Sequence, residues 1–244
     1  MLQKTNGIVL RSVKYGDSSL VTTIFTSLYG TQSYIVQGVR SSKASKNRAG
    51  FFQPGMLLEL VVYHQANKNM QRIREFQAAY IYNGMQENVV KNTITLFSVE
   101  LLLRLLPEHA PLPALFDFAF AYFITLDEKG AESIANFPLY FIIQCSVILG
   151  YELKGNYCEQ TPFLNLQEGG FTEQAPSARP FAGIEDTAVM SALLKVKDHD
   201  ELKQVEMNAD MRLRLLDWYV AFLQNHTQHM GNIRSLSVLR AILH

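Results

Sequence analysis

Two periodicities divide the chain. Up to about residue 76, apolar and β-branched residues fall in short runs separated by turn signals, whereas from about residue 86 they recur at intervals of three and four. In the first stretch, residues 7–13 (GIVLRSV) and 20–25 (LVTTIF) predict two strands joined by a turn at Tyr15-Gly16. A second Tyr-Gly, at 29–30, leads into a third strand over 31–36. Residues 38–50 (GVRSSKASKNRAG) have no apolar periodicity and predict a loop. Pro54-Gly55 introduces a fourth strand over 56–64, and the polar residues 65–69 turn the chain into a fifth over 70–76. Five short strands with one long loop between them predict a small Greek-key barrel; an OB-fold and an SH3-like barrel fit this pattern equally.

In the second stretch, Leu96, Val99, Leu102, Leu103 and Leu106 line one helix, closed by Pro107, Pro111 and Pro113. Further helices are predicted over 115–126 and 137–149, the latter stopped by Gly150. Residues 155–183 hold three prolines and four glycines and read as an irregular insert. Helical spacing resumes near Thr187, and 209–223 and 233–243 form a final pair. The predicted architecture is α+β: a barrel domain over 1–80 followed by an all-α domain over 81–244 that carries the insert.

Composition narrows the class. With 48% hydrophobic and 18% charged residues in 244, the chain can bury a core and is too apolar for intrinsic disorder. The longest apolar stretch, 137–151, falls short of the roughly 18 residues a membrane span needs. The N-terminus lacks the basic-then-apolar layout of an export signal. Two cysteines, Cys145 and Cys158, make no disulfide framework, so a cytoplasmic protein is expected.

Charge changes the picture more. The formal net charge is zero, yet residues 1–80 carry ten Lys and Arg against three Asp and Glu, and residues 81–244 carry twelve against nineteen. Such asymmetry points to a polyanion partner for the basic part. Arg40, Lys43, Lys46 and Arg48 fall in the long loop, with no acidic residue between Asp17 and Glu59. Long cations among small residues can follow a phosphate backbone and release its counterions; a merely solvated loop is the plainer alternative. Arg11, Lys14, Lys68, Arg72 and Arg74 widen the surface if the barrel brings their strands together. Tyr15, Tyr34 and Tyr63 are candidates for stacking on bases.

Near the end, Arg212, Arg214, Arg234 and Arg240 alternate with Trp218, Phe222, Leu236 and other apolar residues. This predicts either a groove for an acidic, apolar peptide or an ordinary amphipathic helix pair with exposed arginines. Metal ligands are sparse: Cys158 has no neighbouring cysteine, and of six histidines only His226 and His229 are close. No phosphate-binding glycine loop, nucleophile elbow or zinc-protease motif occurs, so no cofactor is expected and the prior moves toward a binding protein.

Together these features resemble the RecO family of bacterial recombination mediators. The start, GIVLRSVKYGDSSLVTTIFTSLYGTQSYIVQGVRSSKAS, follows the family's run, with Tyr15, Gly16, Asp17, Ser18, Gly30, Gly38, Arg40 and Lys43 at its marked positions. LLELVVYHQANKNMQRIREFQ is similar to the family's closing barrel hairpin. LGYELKGNYC resembles the approach to its zinc-binding insert, and MGNIRSLSVL resembles its C-terminal signature, with Arg234 in place of a lysine. Many members carry two C-x2-C pairs in the insert; here Cys158 stands alone and Thr161 occupies the second position. The insert is then a zinc-finger remnant without metal ligands, held through Phe163, Leu164, Leu166 and Phe171. The resemblance favours the OB-fold and implies a non-enzymatic DNA-repair factor associated with the nucleoid. Such a factor binds single- and double-stranded DNA, anneals strands and works with RecR. It also helps RecA displace single-strand binding protein (SSB), whose acidic tail would suit the arginine groove. An adaptor that docks SSB or RecR through its helices, with DNA binding secondary, is the alternative.

Overall fold

Strands β1 (Leu2–Tyr15), β2 (Ser19–Thr26), β3 (Gly30–Val36), β4 (Leu57–Tyr63) and β5 (Met70–Ala78) close a barrel in the order β1-β2-β3-β5-β4. The computed structural model describes residues 2–39, 48–85, 87–130, 133–176, 182–228 and 230–243. All barrel pairings are antiparallel except β3 with β5, and β1 closes the barrel by pairing with β2 and β4. This is the OB-type Greek-key arrangement.

The length of β1 makes the closure geometrically accessible. Its first half pairs with β4 and its second with β2, and Gly7, opposite both Thr26 and Leu58, sits where the two ladders overlap. A Cβ at Gly7 would lie 2.6 Å from Ile24 Cγ2, so only glycine fits the corner. The polar residues Gln3, Lys4 and Asn6 hide this extension from a hydrophobic pattern, which is why β1 begins five residues before the predicted strand. Inward-facing Val9, Ile24, Tyr34, Leu58, Leu60 and Val62 fill the barrel, and Phe52, from a 3₁₀ turn over Arg48–Phe52, packs into this cluster. The Phe52 ring meets Phe76 edge-on at 4.7 Å.

Among the described residues seven helices follow: α1 (Val89–Leu105), α2 (Pro113–Glu128), α3 (Phe137–Ile148), α4 (Ile184–Leu193), α5 (His199–Leu202), α6 (Ala209–His226) and α7 (Ser235–Ile242). None of the described helices is long and apolar enough to cross a membrane. The chain divides into two units: Met1–Asn88 with Leu106–Glu128, and Val89–Leu105 with Lys129–His244. The first unit therefore contains the barrel and α2.

Contacts of α2 and of the segment just before it join them to the barrel and to the chain leaving it. Phe116 meets Phe25 edge-on at 5.3 Å. The His109 N–H donates to Thr31 O (3.1 Å), and Gly30 (φ 64°) lies so close to Ala110 that a Cβ would sit 2.1 Å from its carbonyl oxygen. Asp127, buried on α2, accepts the backbone N–H groups of Asn83, Gly84 and Met85 at 2.8–3.1 Å and the Tyr80 hydroxyl at 3.3 Å. One carboxylate thus satisfies three successive donors of the segment leaving the barrel.

In the second unit α3 is buried on nearly every side and packs against α1 and α6, as its unbroken apolar run requires. Glu100 of α1 caps α7 from outside, accepting the N–H groups of Arg234 (2.9 Å) and Ser235 (2.8 Å) and the Ser235 hydroxyl (2.6 Å). Burial pushes the Glu100 carboxyl up, but these three donors, aided by Arg104, outweigh it and hold it below its ordinary value.

The region predicted to be irregular contains a hairpin of two three-residue strands, β6 (Phe163–Asn165) and β7 (Gly170–Thr172). Lys154 lies beside it, donating to Gly169 O and accepting from the Phe171 N–H, both at 2.9 Å. Leu164 and Leu166 are buried, whereas Phe163 and Phe171 are half-buried. His226, in the last turn of α6, places Nε2 3.1 Å from Leu166 O and its ring against Gly169. His229 lies outside the described residues. Cys158 and Thr161 do occupy adjacent turn positions, with Sγ 3.1 Å from Oγ1, but a thiol and a hydroxyl do not make a zinc pair. Among the described residues no group of three or more His, Cys, Asp or Glu could hold a metal ion.

Candidate nucleic-acid interface

Strand register decides which basic side chains share a face. Val13 pairs with Val21, Val21 with Ile35, Ile35 with Arg72, Arg72 with Tyr63 and Tyr63 with Leu2. These six residues form one continuous row around the outside of the barrel, out of phase with the inward-facing core. The next row runs from Met70 through Ser33 and Thr23 to Arg11. Leu2, Val13, Tyr63 and Met70 are each 41–45% exposed, unusual for four large apolar side chains on one small barrel.

Within this surface Ile35, Tyr63, Gln65, Lys68, Met70 and Arg72 line a depression of about 590 Å³. Its floor is apolar and its rim holds two cations. A ring, a thioether and two long cations on one side of a strand pair offer stacking surface and phosphate contacts together. No acidic residue occurs in β2 or β3. Glu59 and Glu75 stand on other rows, Glu59 bonded to Gln77 and Glu75 to Arg74. The outside of the barrel is therefore polarised in charge.

Gln71 presents this rim. It points inward from β5 and is almost fully buried, yet its amide is satisfied: Nε2 donates to Gln65 O (2.8 Å) and Lys68 O (2.6 Å), and Oε1 accepts the Gln65 N–H (2.9 Å). These bonds fix the β4–β5 turn from which Lys68 projects. Nothing singled out Gln71, Met70 or Ile35 beforehand. A polar residue at an inward position of a strand, one before Ile73 in the alternation, was the signal that could have marked Gln71.

The remaining predicted residues divide. Arg11, Lys14, Tyr15, Lys68 and Arg72 are exposed, Tyr15 at the end of β1 with more than half its surface open. Arg74 is the extra residue of a β-bulge between Val61 and Val62, and its guanidinium lies 3.2 Å from Glu75. Arg48 rests over the Phe76 ring, 5.0 Å from its centroid, at the end of the barrel closed by the 3₁₀ turn. Arg40, Lys43 and Lys46 lie outside the described residues. Tyr34 cannot stack on a base: it pairs with Thr22 in the inward phase of β3, is fully buried, and its hydroxyl is pushed well above the usual range by that burial.

In the arginine-rich helices the apolar residues of the predicted groove are buried. Trp218 and Phe222, one turn apart on α6, stack at 5.8 Å inside the second unit, 1% and 2% exposed, and Leu236 is buried as well. These three are core and not the floor of a groove. Arg214 makes two hydrogen bonds to the buried carboxylate of Asp186 (3.0 and 2.7 Å), Arg240 bonds Asp217, and Arg212 Nε donates to Asn136 at 2.7 Å. Arg234 is exposed. The physical reason is the helix period: the apolar stripe of α6 turns to α3, and the arginines beside it find acceptors within the same unit.

Comparison with known proteins gives a consistent picture. Residues 1–82 match the model of Recombination protein O N terminal, and residues 86–236 match Recombination protein O C terminal. The DNA repair protein RecO of Christiangramia forsetii is 26% identical over 242 residues, covering 99% of each chain. Those of Flavobacterium psychrophilum and Bacteroides fragilis are each 28% identical, over 244 residues (98% of each chain) and 242 residues (99% of each chain).

Proposed function

From the premise that this chain belongs to the RecO family, and so to DNA repair and recombination, we propose that it is a DNA-binding mediator. Its barrel holds single strands on the outer face of β1, β2, β3 and β5 together with the end of β4 at Tyr63. The observation that carries this reading is the joint presence, on that face, of exposed Tyr63 and Met70 with Lys68, Arg72 and Arg11, and of no carboxylate in β2 or β3. Rings and thioether take bases, cations take phosphates, and strands held without base readout are free to meet complements, so annealing needs no chemical step. Duplex DNA binds the same cations through its phosphates. In this reading the protein acts in the cytoplasm at the nucleoid, helps load RecA onto SSB-coated strands, and meets the SSB tail and RecR through its helical unit. Exposed Arg234 beside α7 supports that second contact.

The test is annealing of two complementary labelled oligonucleotides by the full-length protein, followed by fluorescence quenching. The triple variant Arg11→Glu/Lys68→Glu/Arg72→Glu is expected to lose acceleration while keeping its melting temperature, since all three side chains are exposed. Annealing at the unmodified rate by a folded variant would dismiss this face.

A further inference from the structure

Helix α4 divides its apolar residues between two faces. The face it buries carries Met190 and Leu193 together with Asp186, Thr187 and Ser191, while Ile184 (52% exposed), Ala188, Val189 and Ala192 point toward solvent or lie half-covered. The buried polar groups are satisfied: Asp186 by the two bonds from Arg214, and the Thr187 hydroxyl by donating to Gly183 O at 2.9 Å. Polar atoms can therefore face inward without penalty for lost partners. Nothing comparable offsets the apolar residues left outside, and an exposed apolar face of this kind marks a contact surface.

That face is shallowly hollowed. Two adjoining depressions of about 650 and 560 Å³ share Ala188, Val189 and Glu206, and Val205, Met207 and Met211 extend their apolar floor. The flexible side chains of Met207 and Met211 let such a surface adapt to an apolar partner. The rim is acidic: Glu185, Glu201 and Glu206 border it, with Lys195 the lysine among the lining residues. Such a rim repels phosphate, which separates this surface from the nucleic-acid face of the barrel and excludes DNA as its occupant.

We propose that the outer face of α4 and the 201–211 segment form a docking groove for a partner protein, through a helical segment that bears apolar anchors flanked by Lys or Arg. The anchors, spaced one turn apart, lie along Val189 and Ala192 between Val205 and Met211, and the flanking cations meet Glu185, Glu201 and Glu206. A groove along a ten-residue helix is about 15 Å long, which suits two to three turns of a docked helix.

Binding of a fluorescein-labelled 14-residue amphipathic Leu/Lys peptide to the full-length protein tests this by anisotropy, with a Leu/Glu peptide of the same pattern as control. The expected result is saturable binding of the Leu/Lys peptide that weakens with salt and falls at least tenfold in Glu185→Lys/Glu206→Lys and in Val189→Asp. The charge-reversal pair is fully on the surface and keeps the test valid if Val189→Asp lowers the melting temperature. Equal affinity of the folded charge-reversal variant, or equal binding of the Leu/Glu peptide, would overturn the proposal. So would a dimer in sedimentation velocity that Val189→Asp dissociates, since a second copy of the chain would then be the occupant.

Discussion

Removing three cations of the outer barrel face, as Arg11→Ala/Lys68→Ala/Arg72→Ala, should change how oligonucleotide binding depends on salt. Each phosphate neutralised on a single strand contributes about 0.7 to the slope of log K against log salt, so three contacts contribute about 2. By the same relation, the three contacts are worth roughly a twentyfold loss of affinity between 50 and 200 mM salt, and about a hundredfold in affinity at 0.1 M. All three side chains are exposed, so the melting temperature should hardly move. The assay is anisotropy of a labelled oligothymidylate titrated at five or more KCl concentrations. Arg74→Ala is the internal control: its guanidinium already lies 3.2 Å from Glu75, and its removal should alter the slope little. A slope that shifts by less than about 0.5 in the triple variant would refute the idea that these side chains meet phosphates.

Four other outcomes follow from the same geometry. Tyr63→Ala should weaken single-strand binding by about 1 kcal/mol or more, as loss of one stacked base does, without changing the salt slope; an altered slope with unchanged affinity at low salt would speak against stacking. Asp127→Ala leaves three backbone donors without their acceptor and should cost about 3 kcal/mol or more in urea unfolding monitored by circular dichroism. Because the folded-state pKa of Glu100 is depressed, its contribution is complete above its ordinary value of 4.5 and disappears as pH falls through the depressed value. Glu100→Gln should therefore be less stable than the parent at pH 7, with the gap closing below pH 4.5. In a thiol assay Cys158, exposed and with its pKa lowered by the hydrogen bonds of Thr161 and Gln160, should react at once, and buried Cys145 only after denaturation.

What could be read without coordinates was whatever depends on neighbours along the chain. Runs of β-branched residues broken at Tyr15-Gly16 and Tyr29-Gly30 marked the first two turns of the barrel, and leucines at three and four marked α1. Backbone conformation responds to such local patterns. The charge imbalance between residues 1–80 and the remainder is likewise a property of composition, and the RecO signatures reside in contiguous segments.

The tertiary structure decided everything that turns on which strand or helix lies opposite. Tyr34 and Tyr63 look alike as strand tyrosines, yet one register places the first in the core and the second beside Arg72. The bulge that directs Arg74 to Glu75, the inward Gln71 that fixes the β4–β5 turn, and the grouping of residues 106–128 with the barrel all depend on long-range pairing. Trp218 and Phe222 became core because α3 offered an apolar partner, and Arg214 was claimed by Asp186, 28 residues earlier. A side chain's exposure is set by the element packed against it, and a one-residue slip in a strand sends every side chain to the other face. Sequence alone therefore determined most of the elements and the charge each half carries; packing determined the β6–β7 hairpin and which charges and rings stand exposed on the barrel.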